Sequence, residues 1–119
     1  MGKNLAEIAD LLIAASDAAT MLPPITSEAP DFSVADGYAV LAGVEAKRRA
    51  QGWRSIGRKI GFTNRTIWPR SAVYQPMWAH VWTHTVRFAA DGKATLPLQG
   101  LVQPRIEPCH GRTHLGGDD

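Results

Sequence analysis

Leu5, Ile8, Leu11, Leu12, Ala15 and Ala19 recur at spacings of three and four residues. On a helix these positions share one face, so the pattern predicts an amphipathic helix from about residue 4 to 20. Pro23 and Pro24 stop it, because proline lacks an amide proton and restricts the residue before it. A polar, proline-containing loop follows from Ser27 to Ser33. Ser33 and Asp36 then stand three apart ahead of another apolar-periodic run through Tyr38, Leu41 and Val44. That is capping-box spacing, with Asp in place of the usual Glu, and it predicts a second helix over about 34 to 51. Lys47, Arg48 and Arg49 complement the negative end of that helix, and Gly52 supplies its stop.

Beyond Gly52 the period changes to two. Ile56, Arg58, Ile60 and Phe62 alternate with Gly57, Lys59, Gly61 and Thr63. A strand of this kind has one largely apolar face and a second face of glycine, from which only Lys59 and Thr63 project. After a loop holding Asn64, Pro69 and Pro76, residues 81 to 88 read as a strand. Asp91-Gly92 is a turn signal that would pair residues 93 to 98 back as a hairpin, and 101 to 107 would make the next strand. The expected fold class is α+β, with two N-terminal helices followed by a mixed or antiparallel sheet. Residues 1 to 108 would form one domain; 109 to 119, rich in glycine and poor in aliphatic side chains, are expected to be a disordered tail.

Composition narrows the class. A chain of 119 residues with 45% hydrophobic and 20% charged residues is globular and has room for one core. It shows no signal-peptide pattern and no apolar run of membrane-spanning length. Cys109 is the single cysteine, which excludes an internal disulfide and suits a reducing, cytoplasmic setting.

Charge is unevenly placed: nine Lys or Arg and no Asp or Glu lie between Ala46 and Ala90, together with all four tryptophans. Such a window is either a nucleic-acid surface or, the preferred reading, a set of helix-end cations and a pocket for a small anion.

Individual residues add candidate chemistry. Lys59, flanked on its face by glycines, has room to meet the carboxylate or oxo group of a small ligand; the alternative is a lysine that simply reaches solvent. Positions 107 and 109 would share a strand face, where two carboxylates form half of an oxygen site for Mg²⁺ or Mn²⁺. Glu107 suits that role, whereas the thiol of Cys109 is mostly protonated near neutral pH and prefers softer metals. His80 and His84, or Cys109 with His110 and His114, could hold zinc, but neither spacing matches a known finger, and exposed histidines are the simpler account.

The run from Gly57 through Lys59 and Gly61 to Thr63, taken with Gln103-Pro-Arg-Ile-Glu107, resembles the 2-oxopent-4-enoate hydratase branch of the fumarylacetoacetate hydrolase superfamily. The resemblance implies an N-terminal part of that fold, an incomplete β-roll. It implies Lys59 as a catalytic and substrate-binding lysine, Thr63 as substrate-binding and Glu107 as a ligand to Mg²⁺ or Mn²⁺. Cys109 stands at the second ligand position and the third is absent. Met77 in Gln75-Pro76-Met77 replaces the family's proton-transferring aspartate. Asp36-Gly37-Tyr38 resembles a family Asp-Ala-Tyr; helix-start chemistry and a core tyrosine explain it best.

The activity implied is hydration of a 2-hydroxydienoate to a 4-hydroxy-2-oxo acid in aromatic-compound catabolism. The alternatives are decarboxylation of a 2-oxo diacid, a non-catalytic partner subunit, or a basic nucleic-acid-binding module. A truncated or frame-shifted hydratase-like chain that self-associates or pairs with a full-length subunit is therefore expected.

Overall fold

The computed structural model describes residues 4–108. Helix α1 spans Leu5–Asp17, with the Asn4 side chain accepting the Glu7 amide at its start. It stops three residues earlier than the periodicity suggested; the chain turns at Ala19, which takes a positive φ of 52°. Helix α2 spans Val34–Ala50 behind the reciprocal cap foreseen from the sequence. The Ser33 hydroxyl accepts the Asp36 amide at 3.1 Å, and the Asp36 carboxylate accepts the Ser33 amide at 2.8 Å.

The two helices pack through small residues. Ala9 is fully buried, Val40 nearly so, and a Cβ added to Gly43 would lie 3.3 Å from the Ala9 Cβ. Close approach at Gly43 is what brings the backbones together. Charged pairs flank the contact: Lys47 bonds Asp10, and the buried Arg48 bonds both carboxylate oxygens of Asp17, at 2.6 and 3.3 Å.

Strand β1, Ser55–Gly61, pairs antiparallel with β2, Met77–Trp82, with a register irregularity between Ser55 and Gly57. A short helix α3, Trp68–Ser71, lies between them, where a loop was expected. Its Pro69 sits in the first turn, where a missing amide costs nothing.

Three sequence expectations are corrected. The second strand begins at Met77, not at 81, and ends at Trp82, after which Thr83–Thr85 form a 3₁₀ turn. The 81–88/93–98 hairpin reduces to a single bridge between Ala90 and Lys93 around the turn at Asp91-Gly92. Residues 101–107 form no strand. Pro97 and Pro104 each remove a ladder donor, and among the described residues no third strand offers these segments an edge. The described architecture is α+β, three helices with one two-stranded antiparallel sheet. Among the described residues no helix is long and apolar enough to cross a membrane. The expected tail, 109–119, lies outside the described residues.

Candidate functional site

Antiparallel register sorts the side chains of β1 and β2 onto two faces. Arg58 and Ile60 stand opposite His80 and Trp78, and this face meets α2. Lys59 stands opposite Ala79, Gly57 opposite Val81 and Gly61 opposite Met77, so these six share the other face. That second face is open: a Cβ placed on Gly57 or Gly61 would meet no atom within 4 Å. Lys59 therefore projects from a bare surface with its side chain 53% exposed, and its ammonium lies 3.6 Å from the Glu107 carboxylate. Two residues singled out separately, 48 positions apart, thus come together.

Thr63 does not follow the alternation. The strand ends at Gly61, and Phe62 has a φ of 56°, so the chain changes direction before Thr63. The Phe62 carbonyl accepts the Trp68 indole at 2.8 Å, which ties α3 to this turn. Thr63 is exposed beyond the strand end. The same-face pairing of positions 107 and 109 loses its basis, because Glu107 is on no strand and Cys109 lies outside the described residues.

A divalent metal needs several oxygen ligands. Among the described residues no group of three or more His, Cys, Asp or Glu is placed to hold one, and Glu107 faces the Lys59 ammonium at 3.6 Å. Glu107 by itself does not fit a Mg²⁺ or Mn²⁺ site.

On the face that meets α2, the structure builds a polar chain that the sequence analysis did not identify. His80, whose side chain is 7% exposed, meets the Glu45 carboxylate through Nε2 at 2.8 Å and the Ser55 hydroxyl through Nδ1 at 3.0 Å. Arg49 hydrogen-bonds Glu45 from one turn away at 2.8 Å. That bond first, and then His80, holds the Glu45 carboxyl below the ordinary range against the opposing effect of burial. One sequence signal pointed here: Glu45 falls in register with Tyr38 and Leu41 on the apolar stripe of α2. His80 is thus a buried link, not an exposed histidine, and His84 stacks on Trp53 at 4.5 Å.

The basic window is largely consumed by internal contacts. Lys47, Arg48 and Arg49 pair with acids, while Arg48, Arg58 and Arg65 lie over Trp53, Trp78 and Trp68. Asp36 and Tyr38 serve structure as expected: one caps α2, and the other stacks on Trp78 at 5.5 Å and accepts its amide at 3.3 Å.

A packed pair of N-terminal helices with a strand pair against α2, one strand carrying a lysine between glycines, makes a small α+β unit. By sequence the chain is a relative of the 2-keto-4-pentenoate hydratase branch of the fumarylacetoacetate hydrolase superfamily. No protein-family model matches it. It is 33% identical to 2-hydroxypent-2,4-dienoate hydratase of Pseudomonas putida over 102 residues, 85% of this chain and 45% of that protein. It is 33% identical to 2-hydroxyhexa-2,4-dienoate hydratase of Comamonas testosteroni over 89 residues, 75% of this chain and 33% of that protein. The likeness to 4-oxalocrotonate decarboxylase of Pseudomonas sp. strain CF600 is 25% over 105 residues.

The fold matches 4-oxalocrotonate decarboxylase from Pseudomonas putida G7, solved with calcium and acetate, at a TM-score of 0.64 and 20% identity, covering 67% of this chain and 31% of that one. The chain thus spans less than half the length of these curated relatives.

Proposed function

We propose that this chain supplies the lysine-bearing face of a hydratase-type site for a small 2-oxo acid. The observation that carries the reading is Lys59 on an open, glycine-lined strand face with Glu107 3.6 Å away. The ammonium is only partly engaged at that distance, so a carboxylate or keto oxygen arriving on the bare face gains a charge-assisted hydrogen bond. The same positive charge would stabilise the dienolate through which a 2-hydroxydienoate is protonated at its far carbon to a 2-oxo-3-enoate. It would then stabilise the enolate left when water adds to that enone; protonation of this enolate at C3 yields the 4-hydroxy-2-oxo acid.

The decarboxylase reading has parallel support in the names of the relatives, since loss of CO₂ from a 2-oxo diacid also passes through an enolate. In either case Mg²⁺ or Mn²⁺ requires acidic groups in addition to Glu107. A role as partner to a longer subunit is compatible with the same face.

Oxalate titration followed by calorimetry tests the proposal. Lys59→Met is expected to weaken oxalate binding severalfold and to leave the thermal midpoint nearly unchanged, because a half-exposed strand lysine contributes little to folding. Equal oxalate affinity in both proteins would return Lys59 to the role of a solvated surface lysine.

A further inference from the structure

A separate cavity of about 400 Å³ opens between the first turns of α2 and strand β2. Its walls are Phe32, Val34, Tyr38, Leu41, Met77 and Trp78. That volume lies within the range of small-molecule sites, and the lining is aromatic and aliphatic in the manner such sites use. Gly37, which also lines it, leaves one side of the helix without a side chain; an added Cβ would come no nearer than 3.8 Å, to the Phe32 ring.

Ser33 also lines the cavity, and two polar groups adjoin its apolar walls: the Tyr38 hydroxyl and, beside the Trp78 ring but outside the lining, Arg58. The Tyr38 hydroxyl accepts the Trp78 amide and, among the described residues, donates its own proton to no acceptor. The Arg58 guanidinium lies over the Trp78 ring, 4.3 Å from its centroid, and has no carboxylate partner among the described residues. The nearby acids are engaged elsewhere: Glu45 by Arg49 and His80, and Asp36 by Ser33. Ring-shaped apolar walls with one spare donor thus stand next to a cation that lacks an acid among the described residues.

We propose that this cavity binds a ring-sized aromatic carboxylate, its ring between the Tyr38–Trp78 pair and Phe32 and its carboxylate toward Arg58. Aromatic walls gain from an offset or edge-on ring beyond simple burial, and a guanidinium already stacked on indole loses little freedom when it receives a carboxylate. Through α2 and Trp78 this site lies on the α2 side of the strand pair; Met77, at the start of β2, is the one lining residue that alternates onto the Lys59 face. The site does not depend on the 2-oxo acid reading.

The test is a titration of the 119-residue chain with benzoate and with the uncharged benzamide. It is followed by the Trp78 indole resonance in a proton–nitrogen correlation spectrum, assigned through Trp78→Phe. Benzoate is expected to shift that resonance saturably, with contacts from the benzoate ring protons to Phe32 and Trp78. Arg58→Gln is expected to weaken benzoate about two- to fivefold, the scale of one exposed charge contact, and to leave benzamide unchanged. Gly37→Leu, which projects a side chain into the space while favouring the helix, is expected to abolish both.

Absence of a saturable shift overturns the proposal. So do shifts that persist unchanged in Gly37→Leu, a lack of ring contacts to Phe32 and Trp78, or shifts that track protein concentration and so report a contact between copies. The ring contacts decide the matter even if Gly37→Leu does not fold.

Discussion

At the scale of single residues, His80 joins both strands to α2, since Ser55 belongs to β1, His80 to β2 and Glu45 to α2. A buried polar group with both ring nitrogens satisfied is stable; stripped of a partner, the remaining groups bear the desolvation cost. His80→Ala is expected to lower stability by about 2 kcal/mol, the scale of a lost hydrogen bond to a charged group. Urea unfolding measures it, and an unchanged midpoint would show that the link carries no load.

The carboxyls at Glu45 and Asp17 also set the acid response. Asp17 is held low chiefly by its hydrogen bond from Arg48, as Glu45 is by Arg49. Both ionise at lower pH folded than unfolded, so their stabilisation is complete above the ordinary carboxylate value of about 4 and disappears as pH falls through the lower folded values. Stability should therefore decline on acidification in that window. Asp17→Asn should reduce the decline, and a urea midpoint with the same acid dependence in the variant would refute this assignment.

At the scale of elements, the helices were the most legible part of the chain. Their period, their proline and glycine stops and the Ser33–Asp36 cap all act over a few residues, so the sequence alone displays them. Ser33→Ala is expected to cost about 1 kcal/mol by removing the acceptor for the Asp36 amide. Gly43 marks where the helices touch, which periodicity cannot reveal. Gly43→Val should destabilise by about 1–3 kcal/mol, because its side chain would press on Ala9 where the gap already admits barely a Cβ. Thermal unfolding of both variants supplies the check, and a Gly43→Val chain as stable as the parent would mean that the helices can separate freely.

The strands were harder to read. Val81 to Phe88 carries strand-type residues, but pairing is a choice between partners. β1 selects Met77–Trp82, whose Trp78 and His80 reach Tyr38 and Glu45 on α2.

At the scale of the molecule, the chain buries little. Ala9 and Val40 are the buried hydrophobic residues among those described, and no large side chain is fully buried. Phe88, Leu96, Leu98 and Ile106 are between 57% and 94% exposed, and Leu101 and Val102 are 45% exposed. Exposed apolar groups gathered along one stretch of chain, together with a two-stranded sheet whose outer edges are unpaired among the described residues, favour association. Sedimentation at micromolar concentration is expected to show dimers or larger species that bind a hydrophobic dye. A dye-silent monomer with a sharp melt would show that the exposed stretch is tolerated as it stands.

Metal-stimulated turnover of a 2-hydroxydienoate, followed in its ultraviolet band, is expected to be absent from the 119-residue chain, because Glu107 is the single acid beside Lys59 that the described residues bring to this face. Turnover lost on Glu107→Ala would show that a working site forms after all.

Local physics made the two helices, the caps and the glycine-lined lysine strand readable from the sequence, since each depends on residues within a few positions of one another. The family resemblance rested on two short runs, 57–63 and 103–107, each legible by itself. Contacts between distant segments were decided only by the tertiary structure. Lys59 and Glu107 approach across 48 positions, Glu45 and His80 across 35, and the cavity forms where α2 lies against β2. Periodicity shows which face a side chain takes, but not what that face will meet. The prolines at 97 and 104 were visible throughout, yet the loss of the later strands became evident only because, among the described residues, no partner strand pairs with them. A strand exists by pairing, and its partner is supplied by the rest of the fold.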